Sequence, residues 1–253
     1  MSENNTLTNE NSTEFNNLDF KKGIKDGLPI GLGYLSVSFA FGVQASIVGI
    51  PWFMSVLISM TNLTSAGQLA GLQIIATLGS LLEIVLAQLV INARYFLMSI
   101  SLTQKLDNTF TVTHRLLCSA FVTDEIFAVA VSKPQQLNKN YFYGLALTPY
   151  LGWALGTLLG SLAGNVLPSF ITNALGIALY AMFIAIILPP SITTKGVLPA
   201  VALGAGISCL LYYLPIFSEL STGISVIISA LISAVIMALL CPIKTSEEGG
   251  EEQ

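Results

Sequence analysis

Between Glu83 and Ser99 an otherwise apolar run carries Glu83, Gln88, Asn92, Arg94, Tyr95 and Ser99. Gln88, Asn92, Tyr95 and Ser99 follow a four, three, four spacing, which places them on one face of a helix. Arg94 stands beside that face. An arginine at bilayer depth costs at least ~2.5–3.5 kcal/mol on insertion scales. The cost is met when the side chain faces the protein interior and finds an anion or carbonyl oxygens. Two readings follow: an arginine snorkelling from a helix end to the interface, or a buried polar face lining a substrate path.

Two other stretches put polar groups inside apolar segments. Thr123-Asp124-Glu125 brings two adjacent carboxyl groups, pointing about 100° apart on a helix. Thr61-Asn-Leu-Thr-Ser-Ala-Gly-Gln-Leu-Ala-Gly71 is the weakest helix former in its neighbourhood. It reads as an unwound hinge whose freed backbone groups meet substrate, or as a packing face, since Gly67 and Gly71 have small-xxx-small spacing. Gly152, Gly156, Gly160 and Gly164 recur at every fourth position. They predict close helix–helix contact along one face. Asp26, after Lys21, Lys22 and Lys25, reads as a helix cap.

An enzyme finds no support. The one histidine, His114, is expected in a loop, and no Ser/His/Asp or metal-ligand cluster is visible. A Walker A sequence is absent, so ATP hydrolysis by this chain is not expected. No cofactor and no nucleic-acid contact are expected. Cys118, Cys209 and Cys241 lie in or beside apolar segments and read as small hydrophobes.

These residues need elements to position them, and composition says which. Of 253 residues 53% are hydrophobic and only 9% charged, against about 25% charged in soluble domains. No Asp, Glu, Lys, Arg or His occurs from Gly27 to Leu82, nor from Asn140 to Thr194. Such runs far exceed the ~20 apolar residues that span a bilayer. The fold class is therefore all-α, a polytopic integral membrane helical bundle. About eight transmembrane helices are expected: Leu28–Ile50, one beginning near Trp52, Gly79–Leu102, Leu116–Val131, Phe142–Gly164, Ile171–Leu188, Val197–Leu214 and Gly223–Leu240. Pro29 would sit in the first turn of the first of them. A seven-span alternative makes the residues near Thr61–Gly71 re-entrant. Residues 1–20 read as a disordered polar tail, 21–242 as the transmembrane domain, and 243–253 as an acidic tail. Lysine and arginine placement predicts a cytoplasmic N-terminus. In the eight-span reading Lys21, Lys22, Lys25, Lys133, Lys139, Lys195 and Lys244 are inside, and Lys105, Arg115 and Glu219 outside.

Several stretches resemble the AzlC family of branched-chain amino acid permeases. They are Lys22-Gly-Ile-Lys-Asp-Gly-Leu-Pro29, Phe39-Ala-Phe-Gly42, Ser65-Ala-Gly-Gln-Leu-Ala70, Asn92-Ala-Arg-Tyr95, Thr123-Asp-Glu125, and the glycine-rich segment with Trp153. The resemblance runs from about Lys21 to Pro242. Two departures stand out: Thr64-Ser-Ala-Gly67 leads directly into Gln68, and Tyr95 stands where histidine is common. The resemblance implies an exporter of branched-chain amino acids (leucine, isoleucine, valine and methionine), ion-coupled, in the bacterial cytoplasmic membrane. It also implies a small hydrophobic membrane partner of the AzlD type. A membrane-embedded assembly subunit without transport of its own is the alternative.

A zwitterionic amino acid needs an anion for its ammonium and donors for its carboxylate. Arg94, Asn92, or helix N-terminal amides near Ser65, Gly67 and Gln68 are the candidates for the carboxylate. Asp124 and Glu125 are the candidates for the ammonium. Burial raises the pKa of carboxyl groups, so Glu83, Asp124 and Glu125 are the proton-coupling candidates. The plainer alternative pairs Arg94 with Asp124 simply to hold two helices together.

Overall fold

The computed structural model describes residues 18–241, except 165, 169, 172–173, 176, 178–180, 182–183, 185–186, 189–190, 193–195 and 218. Both expected tails lie outside the described residues, but for the last few residues of the first. So do Lys195, Lys244 and most of the expected sixth span. The described residues form helices α1 (Phe20–Ile47), α2 (Trp52–Thr61), α3 (Ser65–Ala76), α4 (Leu81–Thr103), α5 (Val112–Ser119), α6 (Asp124–Val131) and α7 (Lys139–Ala163). After them come α8 (Val197–Tyr213), a short 3-10 turn (Pro215–Phe217) and α9 (Thr222–Leu240). By length and composition α1, α4, α7 and α9 can cross a membrane. The all-α membrane class read from composition is what the chain adopts.

The chain divides into two compact units: residues up to Leu72 with Asn92–Tyr180, and Gln73–Ile91 with Ala181 onward.

The first unit is built on α1 and α7, which run parallel. A Cβ added at Gly23 would strike the Tyr141 carbonyl, one at Gly42 the Thr157 carbonyl, and one at Gly164 the Ser46 side chain. The contacts advance in the same direction on both helices. From the other side, Gly152 lies against the Gly31 carbonyl, Gly156 against Leu35 and Ser38, and Gly160 against Phe39. Small residues on both helices allow this backbone approach, as expected where lipid gives no hydrophobic drive between helices. The partner of the glycine face is thus α1 of the same chain.

Asp19, not Asp26, caps α1: its side chain accepts from the Lys22 amide at 2.7 Å. Pro29 lies inside the helix rather than in its first turn. Asp26 is an anchor instead of a cap. It pairs with Lys133 at 2.7 Å and Lys22 at 3.2 Å, and accepts from the Tyr141 hydroxyl at 2.8 Å.

The second and fourth expected spans are corrected. Each is a pair of short helices that enters and leaves at one end of the unit. Gly49, at φ 90°, turns the chain after α1. From there α2 runs back along α7, where Tyr150 donates to the Met60 carbonyl at 3.2 Å. The helix breaks at Asn62–Thr64, and α3 returns, so that Leu72 packs with Phe41 and Ala45 near the end of α1. The α5–α6 pair comes from the opposite end. Leu137 bonds Lys105 and Asp107 through its backbone at 2.8 and 2.9 Å, and the Lys139 amide donates to Thr109 Oγ1 at 3.1 Å. Asn138 also donates to the Leu18 carbonyl. Residues 104–111, 133–139 and the start of α1 therefore share one end. Eight residues make about 12 Å of helix, too short for a hydrocarbon core of ~30 Å. Phe110, Cys118, Val122, Ile126 and Ala130 bury against Tyr141, Phe142 and Leu145 of α7, which fixes this hairpin.

One consequence is a changed topology. Lys105 joins Lys21, Lys22, Lys25, Lys133 and Lys139 at a single basic end, which strengthens the charge bias toward the cytoplasm. Cysteines introduced at Lys105 and at Lys139 should both react with an impermeant maleimide only after permeabilisation. Labelling of Lys105→Cys from outside, with Lys139→Cys silent, would refute the re-entrant α5–α6 hairpin.

In the second unit, Ser233 of α9 donates to the Ala200 carbonyl of α8 at 2.8 Å. Gly79 and Gly223 pack around Ile74 and Glu83.

Candidate functional site

The tips of the two hairpins meet beside the middle of α1 and α7. Each tip is the start of a helix. At α3, Thr64 accepts from the Gly67 amide on its hydroxyl at 3.3 Å and from the Gln68 amide on its carbonyl at 3.0 Å. At α6, Thr123 is the N-cap and accepts from the Ile126 amide at 3.4 Å. A helix start presents unpaired amides and the positive end of the dipole. Asp124 and Glu125 lie in the first turn of α6, where that field favours carboxylates. The first turn of α3 holds Ser65, Ala66 and Gly67 and no acid, and its Gly67 amide is taken up by Thr64.

Arg94 connects the tips. Its Nη1 pairs with Asp124 Oδ2 at 3.0 Å, and its Nη2 donates to Tyr95 Oη at 3.1 Å. The guanidinium carbon lies 4.9 Å from the Tyr95 ring centre. Tyr95 in turn donates to Thr64 at 3.4 Å. The Arg94 and Asp124 side chains are 41% and 36% exposed, so the pair is only partly covered by the chain itself. The snorkelling reading of Arg94 does not describe this geometry: its charge is met by Asp124. Asn92 is half-buried, two residues before it on the same helix.

Behind this centre lies a buried polar chain. Tyr34 donates to Thr123 at 2.7 Å and is bonded to Glu125. Its ring meets Trp153 edge to face at 5.1 Å. Trp153 donates to Gln68 Oε1 at 3.2 Å, and the Gln68 amide donates to the Asn62 carbonyl at 2.5 Å. Ser59 joins Gln68 at 3.4 Å and Thr157 at 2.7 Å. Gln68, at 2% exposure, is committed to bracing the α2–α3 break.

Arg94 and Asp124 are thus paired, Glu125 follows in the same turn and is bonded to Tyr34, and Ser65 and Gly67 follow Thr64, which Tyr95 joins to Arg94, with Gln68 one layer behind. Glu83 is not part of this centre. It sits in the first turn of α4, about three turns before Arg94. Ser80 Oγ accepts from the Glu83 amide at 3.2 Å, as an N-cap does, and donates to its Oε1 at 3.4 Å. Its Oε2 is buried and has no hydrogen-bond partner among the described residues. His114, expected in a loop, is in the first turn of α5 and meets Tyr143 at 2.8 Å. Sequence reasoning missed Tyr34. The one available signal was a hydroxyl within an apolar helix, which needs a partner when buried.

The arrangement offers donors and acceptors within one centre but no nucleophile–base pair. Among the described residues no cluster of three or more His, Cys, Asp or Glu could hold a metal. Its two opposite charges, on Arg94 and Asp124, are paired with each other.

Residues 29–167, which contain both hairpins and α7, match the model of the AzlC protein family. An uncharacterized membrane protein of Archaeoglobus fulgidus is 31% identical over 198 residues, 77% of this chain and 85% of that protein. The inner membrane protein YgaZ of Escherichia coli is 30% identical over 177 residues, 67% of this chain and 72% of its own. An uncharacterized membrane protein of Helicobacter pylori is 28% identical over 176 residues. No solved structure matches. The family match covers more than half of the chain and takes in every residue of the polar centre, and the relatives are named as membrane proteins: the chain belongs to the AzlC family.

Proposed function

We propose that the protein is a secondary transporter that exports branched-chain amino acids. Leucine, isoleucine, valine and methionine are the substrates, moved in the bacterial cytoplasmic membrane from a cytoplasmic N-terminal side. The observation that carries this reading is the meeting of two opposed re-entrant tips at Arg94 and Asp124. Discontinuous helices whose ends meet at mid-membrane are a common way to build a transporter site. The substrate carboxylate is held by Arg94, with the positive end of the α3 dipole beside Ser65 and Gly67 favouring it. The ammonium is held by Asp124 and Glu125. Either acid can carry a coupled proton, and Glu83 is a more remote carrier. A small hydrophobic subunit of the AzlD type completes the exporter in this reading.

Cells loaded with labelled leucine, isoleucine, valine and methionine test it. Faster loss of label when the gene is present, together with its partner gene, is the expected result. Equal loss of all four would favour a membrane assembly subunit instead.

A further inference from the structure

Two adjacent acids open α6, and their settings differ. Asp124 is balanced by Arg94 at 3.0 Å. Among the described residues no lysine or arginine pairs with Glu125. Glu125 is bonded instead to the hydroxyl of Tyr34, a neutral group from α1. Tyr34 and its other partner, Thr123 at 2.7 Å, are buried. Glu125 itself is exposed. The carboxyl therefore stands at the open end of a buried chain of hydroxyls. The other charged or titratable groups around this cluster are Asp124 beside it and Arg94 and Tyr95 from α4. From α7 comes Trp153, whose ring packs on Tyr34 and does not titrate.

A hydroxyl gives one hydrogen and accepts on its lone pairs. With Glu125 ionised, Tyr34 donates to its Oε2 and accepts from the Thr123 hydroxyl. With Glu125 protonated, the carboxyl donates to Tyr34 Oη, and Tyr34 turns its own hydrogen to Thr123 Oγ1. Both partners lie within reach of the one oxygen, so Tyr34 and Glu125 keep a hydrogen bond in either state. A buried hydroxyl left without one is costly. The start of α6 favours the ionised form, and the want of a cation favours the protonated one, so both are within reach. Asp124 differs, because taking a proton would break its pair with Arg94.

We propose that Glu125 is the carboxyl that exchanges a proton for the substrate ammonium, and that Tyr34 is its positioning residue. The inference rests on the transport reading and adds to it the coupling ion and the acid that carries it. Proton and ammonium compete for one carboxylate, so leucine leaves as a proton enters. The bond made and broken is the O–H on Glu125. The proton comes from water on the outer side and returns to water on the inner side.

The test uses inside-out vesicles from cells expressing the full chain with its partner gene, the membrane potential held at zero. Uptake of labelled leucine then reports export, and an interior more acidic than the medium supplies the gradient. For one proton per leucine, accumulation by the unaltered chain should rise about tenfold per pH unit. Glu125→Gln cannot take up a proton, and its leucine uptake should be indifferent to the gradient, whatever its rate. Tyr34→Phe keeps the ring against Trp153 and removes the hydroxyl. It should still exchange internal for external leucine, a reaction that moves no net proton. Exchange falls at low pH as the proton displaces the ammonium. In Tyr34→Phe the half-point of that fall should lie about one pH unit higher, because the hydrogen bond to the charged form is the stronger one lost. A purely structural Tyr34 would lower abundance or rate without displacing the profile. Leucine transport by the unaltered chain that ignores the gradient, or a full gradient response by Glu125→Gln, would overturn the coupling role and leave the transport reading standing. An unmoved profile in Tyr34→Phe, or no exchange at all, would overturn its positioning role and, where Glu125→Gln moves no leucine, the assignment of Glu125 too. Absence of leucine transport by the unaltered chain would strike the transport reading, and this inference with it.

Discussion

Gly156→Leu should remove most of the protein from the membrane. A Cβ at this position would lie against the Leu35 carbonyl oxygen and Ser38 Oγ of α1. The carbonyl is backbone and cannot rotate away, so the two helices must separate. Overpacking a core typically costs ~1–3 kcal/mol when side chains can adjust. Here α1 and α7 touch from Gly23–Tyr141 to Ser46–Gly164, so separation at one point disturbs the whole seam. The effect should exceed that range and appear as lost abundance or a much lower Tm in detergent. Gly33→Leu is the matched control on α1. Gly33 is exposed and nothing lies within 4 Å of its added Cβ. Leucine is the better helix former, by several tenths of a kcal/mol, so Gly33→Leu should accumulate at least as well as the parent. Equal abundance and equal Tm for Gly156→Leu would rule out the close seam.

The glycine face was legible because its signal is local: four small residues at helical spacing have one structural use in an apolar helix. The long helices were legible for a similar reason. Expected spans at Gly79–Leu102, Phe142–Gly164, Val197–Leu214 and Gly223–Leu240 lie within a few residues of α4, α7, α8 and α9. The hairpins were not, because hydropathy reports how apolar a stretch is and not which way the chain runs. Leu116–Val131 is apolar enough for a span, yet its two halves run in opposite directions. The clue was present in Thr123-Asp124-Glu125, a cap followed by two acids, which is the signature of a helix start. A helix that starts there cannot be the continuation of α5. Thr64-Ser65 marks the other break less strongly, since no acid follows it. Reading 61–71 as re-entrant was the seven-span alternative, and the helix does break there, at Asn62–Thr64. Chain is unwound for three residues at the tip, and Gly67 is buried just beyond it. Tyr34 and Trp153 could not be joined to the site from sequence, because their partners come from separate hairpins.

Arg94→Lys should insert normally and lower export about tenfold or more. The guanidinium reaches Asp124 through one nitrogen and Tyr95 through the other, at 3.0 and 3.1 Å. A lysine keeps the charge but loses this planar fork. Losing one hydrogen bond to a charged group is worth about 1.5–3 kcal/mol, which is a ten- to hundredfold change if the bond is made to the transported carboxylate. Arg94→Ala would be less informative, because it strands Asp124 without its cation, and low activity could then reflect poor folding. The informative companion is the double change Arg94→Gln with Asp124→Asn, which removes both charges at once and leaves neither unpaired. If the pair served only to hold α4 to α6, the double variant would recover much of the export lost in either single variant, and Arg94→Lys would be nearly silent. If the pair holds substrate, the double variant lacks both the donor for the carboxylate and one acceptor for the ammonium. It should accumulate to parental levels and still export at the level of the worse single variant. Export measured at matched abundance separates the cases, and a fully active double variant with a silent Arg94→Lys would reduce the centre to a structural pair.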